Sequence, residues 1–344
     1  MYLDSEKEAT ILWSLLSEPG DQLAHLIFAN RGPAAISDFR SGRAKKLWPE
    51  IIESEASEFG HELPALFERF AMRVETLSVS QRLERAIRWS AKPMFPDDAP
   101  VLWSKFHDLG HSAPYLLWVA GDISALEQES VAIVGTRRPS SFGIKNSGLL
   151  VSQLRLPVVS GGASGIDAAA HRAAIDLKIP TFAFMAGGID RAYPLENWPL
   201  FHEMVRSGGA LISETSPGTA PSRFRFLLRN RLIAASGDSL FVVEAGYRSG
   251  SRNSANHARN LGRDVYAVPA RFGKTIPQGT NSMIKEGLAQ VWQMQDGLTI
   301  EPDWIQKRIQ DAIRDGAVGD QQIAMESGIS LQLVAKNLSL LRLS

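Results

Sequence analysis

The chain contains no cysteine among its 344 residues. That excludes disulfides, thiol catalysis, thiolate zinc sites and iron–sulfur clusters. It has no run approaching the roughly 18 consecutive apolar residues of a membrane span, and its start, MYLDSEKEAT, lacks the basic and apolar regions of a secretory signal. The expected location is therefore the cytoplasm. Net charge is absent too, with 37 Lys and Arg balancing 37 Asp and Glu. What remains is an ordinary globular composition, 44% hydrophobic and 22% charged, in a chain long enough for two or three folding units.

Residues 1–90 carry apolar side chains at three- and four-residue spacings, in ATILWSLL, DQLAHLIFA, ELPALFERFAMRV and SQRLERAIRWS, which predicts a small all-helical domain. Its stretch SEPGDQLAHLIFANRGPAAISDF is similar to a helix-hairpin-helix without the sharp glycine hairpin that touches a DNA backbone, so a scaffold is expected rather than a DNA reader. Pro93, Pro96 and Pro100 read as a linker, after which PYLLWVAGD begins a strand. Within residues 91–298, six β-rich runs at 131–135, 157–161, 180–188, 210–214, 239–245 and 264–270 alternate with helical segments. Strands buried on both faces and joined by helices predict an α/β fold, an extended Rossmann-like, doubly wound and mostly parallel sheet, with ligands outside the carboxyl ends of its strands. Residues 299–344 predict three further helices, Asp303 to Arg314, Asp320 to Ser327 and Ser330 to Leu341, in a small winged-helix-like domain with Gly328 in its turn. With only Lys336 and Arg342 as cations in the last helix, contact with protein is expected there.

The zero balance hides a segregation of charge. Residues 1–130 hold 13 Lys and Arg against 20 Asp and Glu, whereas residues 221–275 hold 10 against 3. Nearly all of the latter cations are arginines, which bind phosphates bidentately and stay charged at any cellular pH, so a polyanionic partner is indicated. The alternative is a solvated face with scattered ion pairs.

Five strand-to-helix segments carry the candidate chemistry. In VGTRRPSSFG, residues 134–143, Arg137 stands where a dinucleotide fingerprint needs a glycine, which disfavours NAD and offers Arg137 and Arg138 to phosphates instead. In VSGGASGIDAAAH, residues 159–171, Gly161, Gly162 and Gly165 with Ser160 and Ser164 form a candidate anion cradle at a helix start. Ile166 replaces the last glycine of G-x-S-x-G, so Ser164 reads as a hydrogen-bond donor rather than a nucleophile. Asp167 and His171, four apart, read as a carboxylate orienting a histidine rather than as metal ligands. The third segment, AGGIDRAYPLEN, residues 186–197, is a rigid or ligand-approaching turn. In the fourth, read as a loop at 221–233, Arg223, Arg229 and Arg231 interleave with Phe224 and Phe226, the combination that a single-strand groove uses, with Phe226 chosen as the base platform. The fifth, residues 244–263, offers Ser249, Gly250 and Ser251 as an anion loop and a stripe of Arg252, Asn256, Arg259 and Arg263, of which Arg252 is nearest the loop. No cofactor or metal is expected.

In order and register, these motifs resemble the DNA processing protein A (DprA, or Smf) family. The likeness runs from FPDDAPVLWSKFHDLG through VAIVGTRRPSSFG, VVSGGASGIDAAAHRAAI, GGIDRAYPLEN and PSRFRFLLRNRLIA to VVEAGYRSGSRNSANHARNLGRDVYAVPA. It implies a non-catalytic protein that binds single-stranded DNA on its Rossmann domain, forms a homodimer through that domain, and loads the recombinase RecA onto incoming strands during natural transformation. By position it implies DNA contacts from Arg137, from Gly161 to Gly165, and from Arg223, Phe226, Arg229, Asn230 and Arg231, where Leu227 departs from the family's usual proline. The competing reading is a Rossmann-type hydrolase of nucleotide N-glycosidic bonds, with Glu244 or Asp167 as the catalytic carboxylate, although its P-G-G-x-G-T-x-x-E loop is missing.

Overall fold

A computed structural model describes residues 4–270, 278–292, 309, 312–314, 316–328, 331, 334 and 338. The chain divides into two compact units, Met1–Trp292 and Gln293–Ser344.

The first unit is built on one sheet. Among the described residues it has nine strands: β1 (Ala91–Met94), β2 (Leu117–Gly121), β3 (Val131–Val134), β4 (Val158–Ser160), β5 (Thr181–Phe184), β6 (Ala210–Ser213), β7 (Ser239–Val242), β8 (Asp264–Ala267) and β9 (Gln290–Val291), in the order β1-β2-β6-β5-β4-β3-β7-β8-β9. All pairings from β6 to β9 are parallel, while β1 and β2 close one edge antiparallel. The mostly parallel, Rossmann-like sheet expected from the sequence is present, and the six central runs are its β3 to β8. Strands β3, β5 and β6 are buried at every residue, as helices on both faces require. Pro93 belongs to the edge strand β1, opposite Trp118 of β2, and not to a linker. Proline is tolerated there because the outer side of an edge strand needs no N–H.

The predicted N-terminal helices form as Ser5–Leu16, Gln22–Arg31, Ala34–Arg40, Ala44–Glu55, Leu63–Arg73 and Val79–Ile87. Asp4, Asp21 and Ser78 cap three of them by accepting the amides of Lys7, Ala24 and Gln81, each worth about 1 kcal/mol. They close on an aromatic core in which Trp13 meets Trp48 and Phe70 edge-on, with centroids 5.7 and 5.0 Å apart. This layer packs into the same unit as the sheet. Gly20 lies against Leu228 and Arg231 of the helix Arg223–Ser236, and Glu18 pairs with Arg73 and with Arg225 at 2.9 Å.

In the second unit, Ile309, Ala312, Ala317, Ile323 and Val334 are buried together. The helix Asp320–Ser327 ends at Gly328, whose φ of 65° is left-handed, so the predicted turn glycine serves as a C-cap. The helices expected at Asp303 to Arg314 and Ser330 to Leu341 lie largely outside the described residues, as do Arg271 and Lys274.

Candidate nucleic-acid interface

From β3 the chain winds outward through β4, β5 and β6, then returns to β7 on the other flank of β3. Strand order therefore reverses at β3, and the loops leaving β3 and β7 part to open a crevice. A cleft of about 1050 Å³ lies there, lined by Gly135 to Arg137, Ala163, Asp167, Tyr193, residues of the helix Arg223–Ser236, and Tyr247 to Ser254.

The segment 221–233 is helical from Arg223 onward rather than a loop. Ser222 caps it by accepting the Arg225 amide at 3.2 Å. Helical spacing then sorts its side chains: Arg223, Phe226, Asn230 and Ile233 face the cleft, whereas Leu228 and Arg231 face the N-terminal layer. Arg231 is consequently not a phosphate ligand in waiting. It is buried, donating to Ser112 O at 2.9 Å, Leu228 O at 3.2 Å and Glu214 Oε1 at 2.7 Å. Asn230 lines the cleft but donates to Asn253 Oδ1 at 3.1 Å, holding the first turn of the helix Gly250–Asn260 that follows β7.

The glycine loop is spoken for in a similar way. The Gly161 and Ala163 amides donate to Asp167 Oδ2 at 3.1 and 3.3 Å, so the cradle expected for an external anion already holds the chain's own carboxylate. Gly161 is needed because any side chain there would overlap the Arg229 guanidinium, while Gly162 and Gly165 adopt φ of 64° and 88°. Ser164, hydrogen-bonded to Glu196, and Gly165 border a neighbouring hollow rather than the cleft.

Arg229 lies beneath this loop, buried, with Nη1 donating to Phe184 O at 2.9 Å. Burial lowers its pKa to about 10, Asp167 raises it in opposition, and Arg137 lowers it further. Burial pushes the Asp167 carboxyl up against the pull of Arg229 and the two amides. Behind them His171, lowered to about 3 by burial and Arg229, contacts Thr181 Oγ1 at 2.7 Å. Asp167 is thus a buried carboxylate held by two backbone amides and attracted by Arg229, and among the described residues no cluster of His, Asp and Glu is suited to a metal. Glu244 spends its carboxylate on the Ser140 amide and hydroxyl, at 3.0 and 2.7 Å, and so pins the loop after β3 to the end of β7.

The arginine-rich window is largely neutralised from outside itself. Glu18, Glu214, Glu286 and Asp108 pair with Arg225, Arg231, Arg252 and Arg263, and Arg259 donates to Gly287 O. Arg252, although it lines the cleft, has its guanidinium turned to Glu286 and Ser282. Ser249 Oγ caps the helix Gly250–Asn260 by accepting the Arg252 amide at 3.3 Å, with Gly250 exposed beside it.

Around the cleft, four exposed guanidiniums make no ion pair among the described residues: Arg137, Arg138, Arg223 and Arg248. Three line the cleft, and Arg138 adjoins it. Arg137 lies over the Phe226 ring, 5.1 Å from its centroid, and Tyr193 meets the same ring edge-on at 5.6 Å. Arg248, Tyr193 and Tyr247 are not among the contacts chosen from the sequence. Arg248 counts there only within the basic window, and Tyr193 and Tyr247 lie in segments bounded by glycine after β5 and β7.

A family model described as DNA recombination-mediator protein A matches residues 94–301. A putative DNA processing protein DprA of Mycobacterium tuberculosis is 39% identical over 229 residues, 62% of this chain and 58% of that protein. The chain thus spans little more than half of that relative's length. The structure of DNA processing protein A from Streptococcus pneumoniae superposes with a TM-score of 0.63 at 27% identity, covering 85% of this chain and 95% of that one. DNA processing protein A from Helicobacter pylori, whose structure was described for its single-stranded DNA binding mode, superposes with a TM-score of 0.50 at 29% identity, covering 61% and 92%. With the family match taking in more than half of the sequence, and with the fold shared by both structures, the chain belongs to the DNA recombination-mediator protein A family.

Proposed function

We propose that this protein binds single-stranded DNA in the switch-point cleft without breaking a bond in it. The phosphates run along Arg137, Arg138, Arg223 and Arg248, and unpaired bases turn toward the aromatic wall. The observation that carries this reading is the set of four exposed, unpaired guanidiniums around one wide cleft, whose acidic lining residue, Asp167, is buried and matched by Arg229. Aromatic side chains among cations favour single strands over duplex, because a paired base has no free face to stack. The binding mode named for the Helicobacter pylori relative agrees with it. As in the family that the chain resembles, the strand held here is passed to the recombinase RecA, and the working form is a homodimer through the sheet-bearing unit in the cytoplasm. Hydrolysis of nucleotides is disfavoured, since Glu244 and Asp167 each accept backbone amides.

Titration of a labelled oligothymidine and its duplex at two salt concentrations tests the reading. Four phosphate contacts give a log–log salt slope of about −3 for single strands, at about 0.7 per contact, with duplex bound more weakly. The Arg137→Ala, Arg223→Ala double variant should bind less and bring the slope closer to zero by about 1.4. Equal binding of duplex, or a slope unmoved in the double variant, overturns the assignment.

A further inference from the structure

The residue that the sequence offers as base platform, Phe226, is already occupied. Arg137 covers its ring at 5.1 Å, Arg229 approaches it at 5.9 Å, and Tyr193 packs edge-on at 5.6 Å. Opposed charges do not hold Arg137 there, because it has no acidic partner among the described residues. The ring's negative face does. Phe226 therefore acts as the seat of a guanidinium, keeping Arg137 extended over the cleft.

Tyr247 offers the opposite arrangement. It leaves the end of β7 on the other flank of β3 and lines the same cleft. Its side chain is 58% exposed, and its ring meets no aromatic or cationic group among the described residues. Its hydroxyl nevertheless donates to Gln278 Oε1 at 3.1 Å. A ring tethered at one end with open faces has already lost much of the rotational freedom that stacking would cost. The next residue, Arg248, is exposed and unpaired, so an open π-face and a free phosphate ligand stand side by side. The cleft's volume of about 1050 Å³ exceeds the upper end of the roughly 300–1,000 Å³ typical of sites for one small molecule, leaving room for more than one nucleotide.

From this geometry we infer that Tyr247 is the base-stacking residue of the cleft, that Arg248 clamps the phosphate of the stacked nucleotide, and that Phe226 positions Arg137 rather than stacking a base itself. The ligand class is a run of at least two unpaired nucleotides, one phosphate at Arg137 and the next at Arg248. This inference rests on the proposed binding of single strands.

The test compares two polymers of equal length, oligothymidine and an abasic oligodeoxyribose phosphate, which share phosphates but differ in bases. For the full-length wild type, oligothymidine should bind more tightly. Tyr247→Ala should lose about ten- to a hundredfold in affinity for oligothymidine, the range of a single base–aromatic stack, with abasic affinity unchanged. Tyr247→Phe, which keeps the ring and loses only the tether, should retain most of the affinity. Phe226→Leu should weaken both polymers alike by unseating Arg137. If wild type binds neither polymer, the functional reading itself fails. If wild type binds both while Tyr247→Ala binds oligothymidine as tightly as wild type, or weakens both polymers equally, Tyr247 is not the platform and this inference alone falls. A Phe226→Leu effect confined to oligothymidine returns the stacking role to Phe226.

Discussion

Replacing Arg231 by alanine separates the two roles that an arginine in this motif can have. By sequence it stands two residues after Arg229 in a run of cations and aromatics, and a phosphate contact follows naturally. In the fold its side chain is 4% exposed and its partner's, Glu214, 10%, with two further bonds to the carbonyls of Ser112 and Leu228. Removing the guanidinium leaves the Glu214 carboxylate buried without its counter-ion, which costs about 3–5 kcal/mol in such sites. Urea denaturation followed by tryptophan fluorescence should register that loss as a lower midpoint with little change in slope. Removing Glu214 as well should recover part of the loss, since the two changes share one interaction and cannot be additive. Arg137→Ala serves as the opposite case: an exposed side chain without an ion pair, whose removal should alter stability by no more than about 0.5 kcal/mol while weakening DNA binding. If Arg231→Ala unfolds at the wild-type midpoint but loses affinity and salt dependence as Arg137→Ala does, the guanidinium reaches the ligand and the structural role assigned to it is wrong.

His171 should make the fold acid-sensitive. Its folded pKa is lowered to about 3 from 6.5, so as pH falls from 6.5 toward 3 the unfolded state takes up the proton first and stability falls with it, by up to several kcal/mol at about 1.4 kcal/mol per pH unit. Thermal midpoints of wild type and His171→Asn across that window should converge as pH drops, and parallel curves would refute the assignment. Gly161→Ala should cost about 1–3 kcal/mol by forcing a methyl group against Arg229, seen as a lower urea midpoint. A neutral outcome would mean that Arg229 is free to move aside.

The alternation of buried runs and helices was enough to announce the sheet, because strands covered on both faces must be apolar throughout and their crossovers must be long enough for a helix. β3 to β8 and the helices following β3, β4, β5 and β7 were legible on that basis. Edge strands β1 and β9 were not: β1 contains Pro93 and β9 has two residues, so neither carries a periodic signal. The cap at Ser222 is local as well, yet it was passed over because the cations and aromatics after it drew the reading toward a loop.

Fold class, family and the segments from which the candidate site is drawn all follow from residue type and order along the chain. Which arginines remain free to meet a ligand was decided only by the tertiary structure. Glu18, Asp108, Glu214 and Glu286 lie outside the basic window and come back through space to pair with its cations. Charge neutralisation falls off with distance in three dimensions rather than with separation along the chain. Helical phase then turned Arg231 inward and Phe226 toward the cleft, and strand order carried Arg137 and Tyr247 to one crevice from segments more than a hundred residues apart.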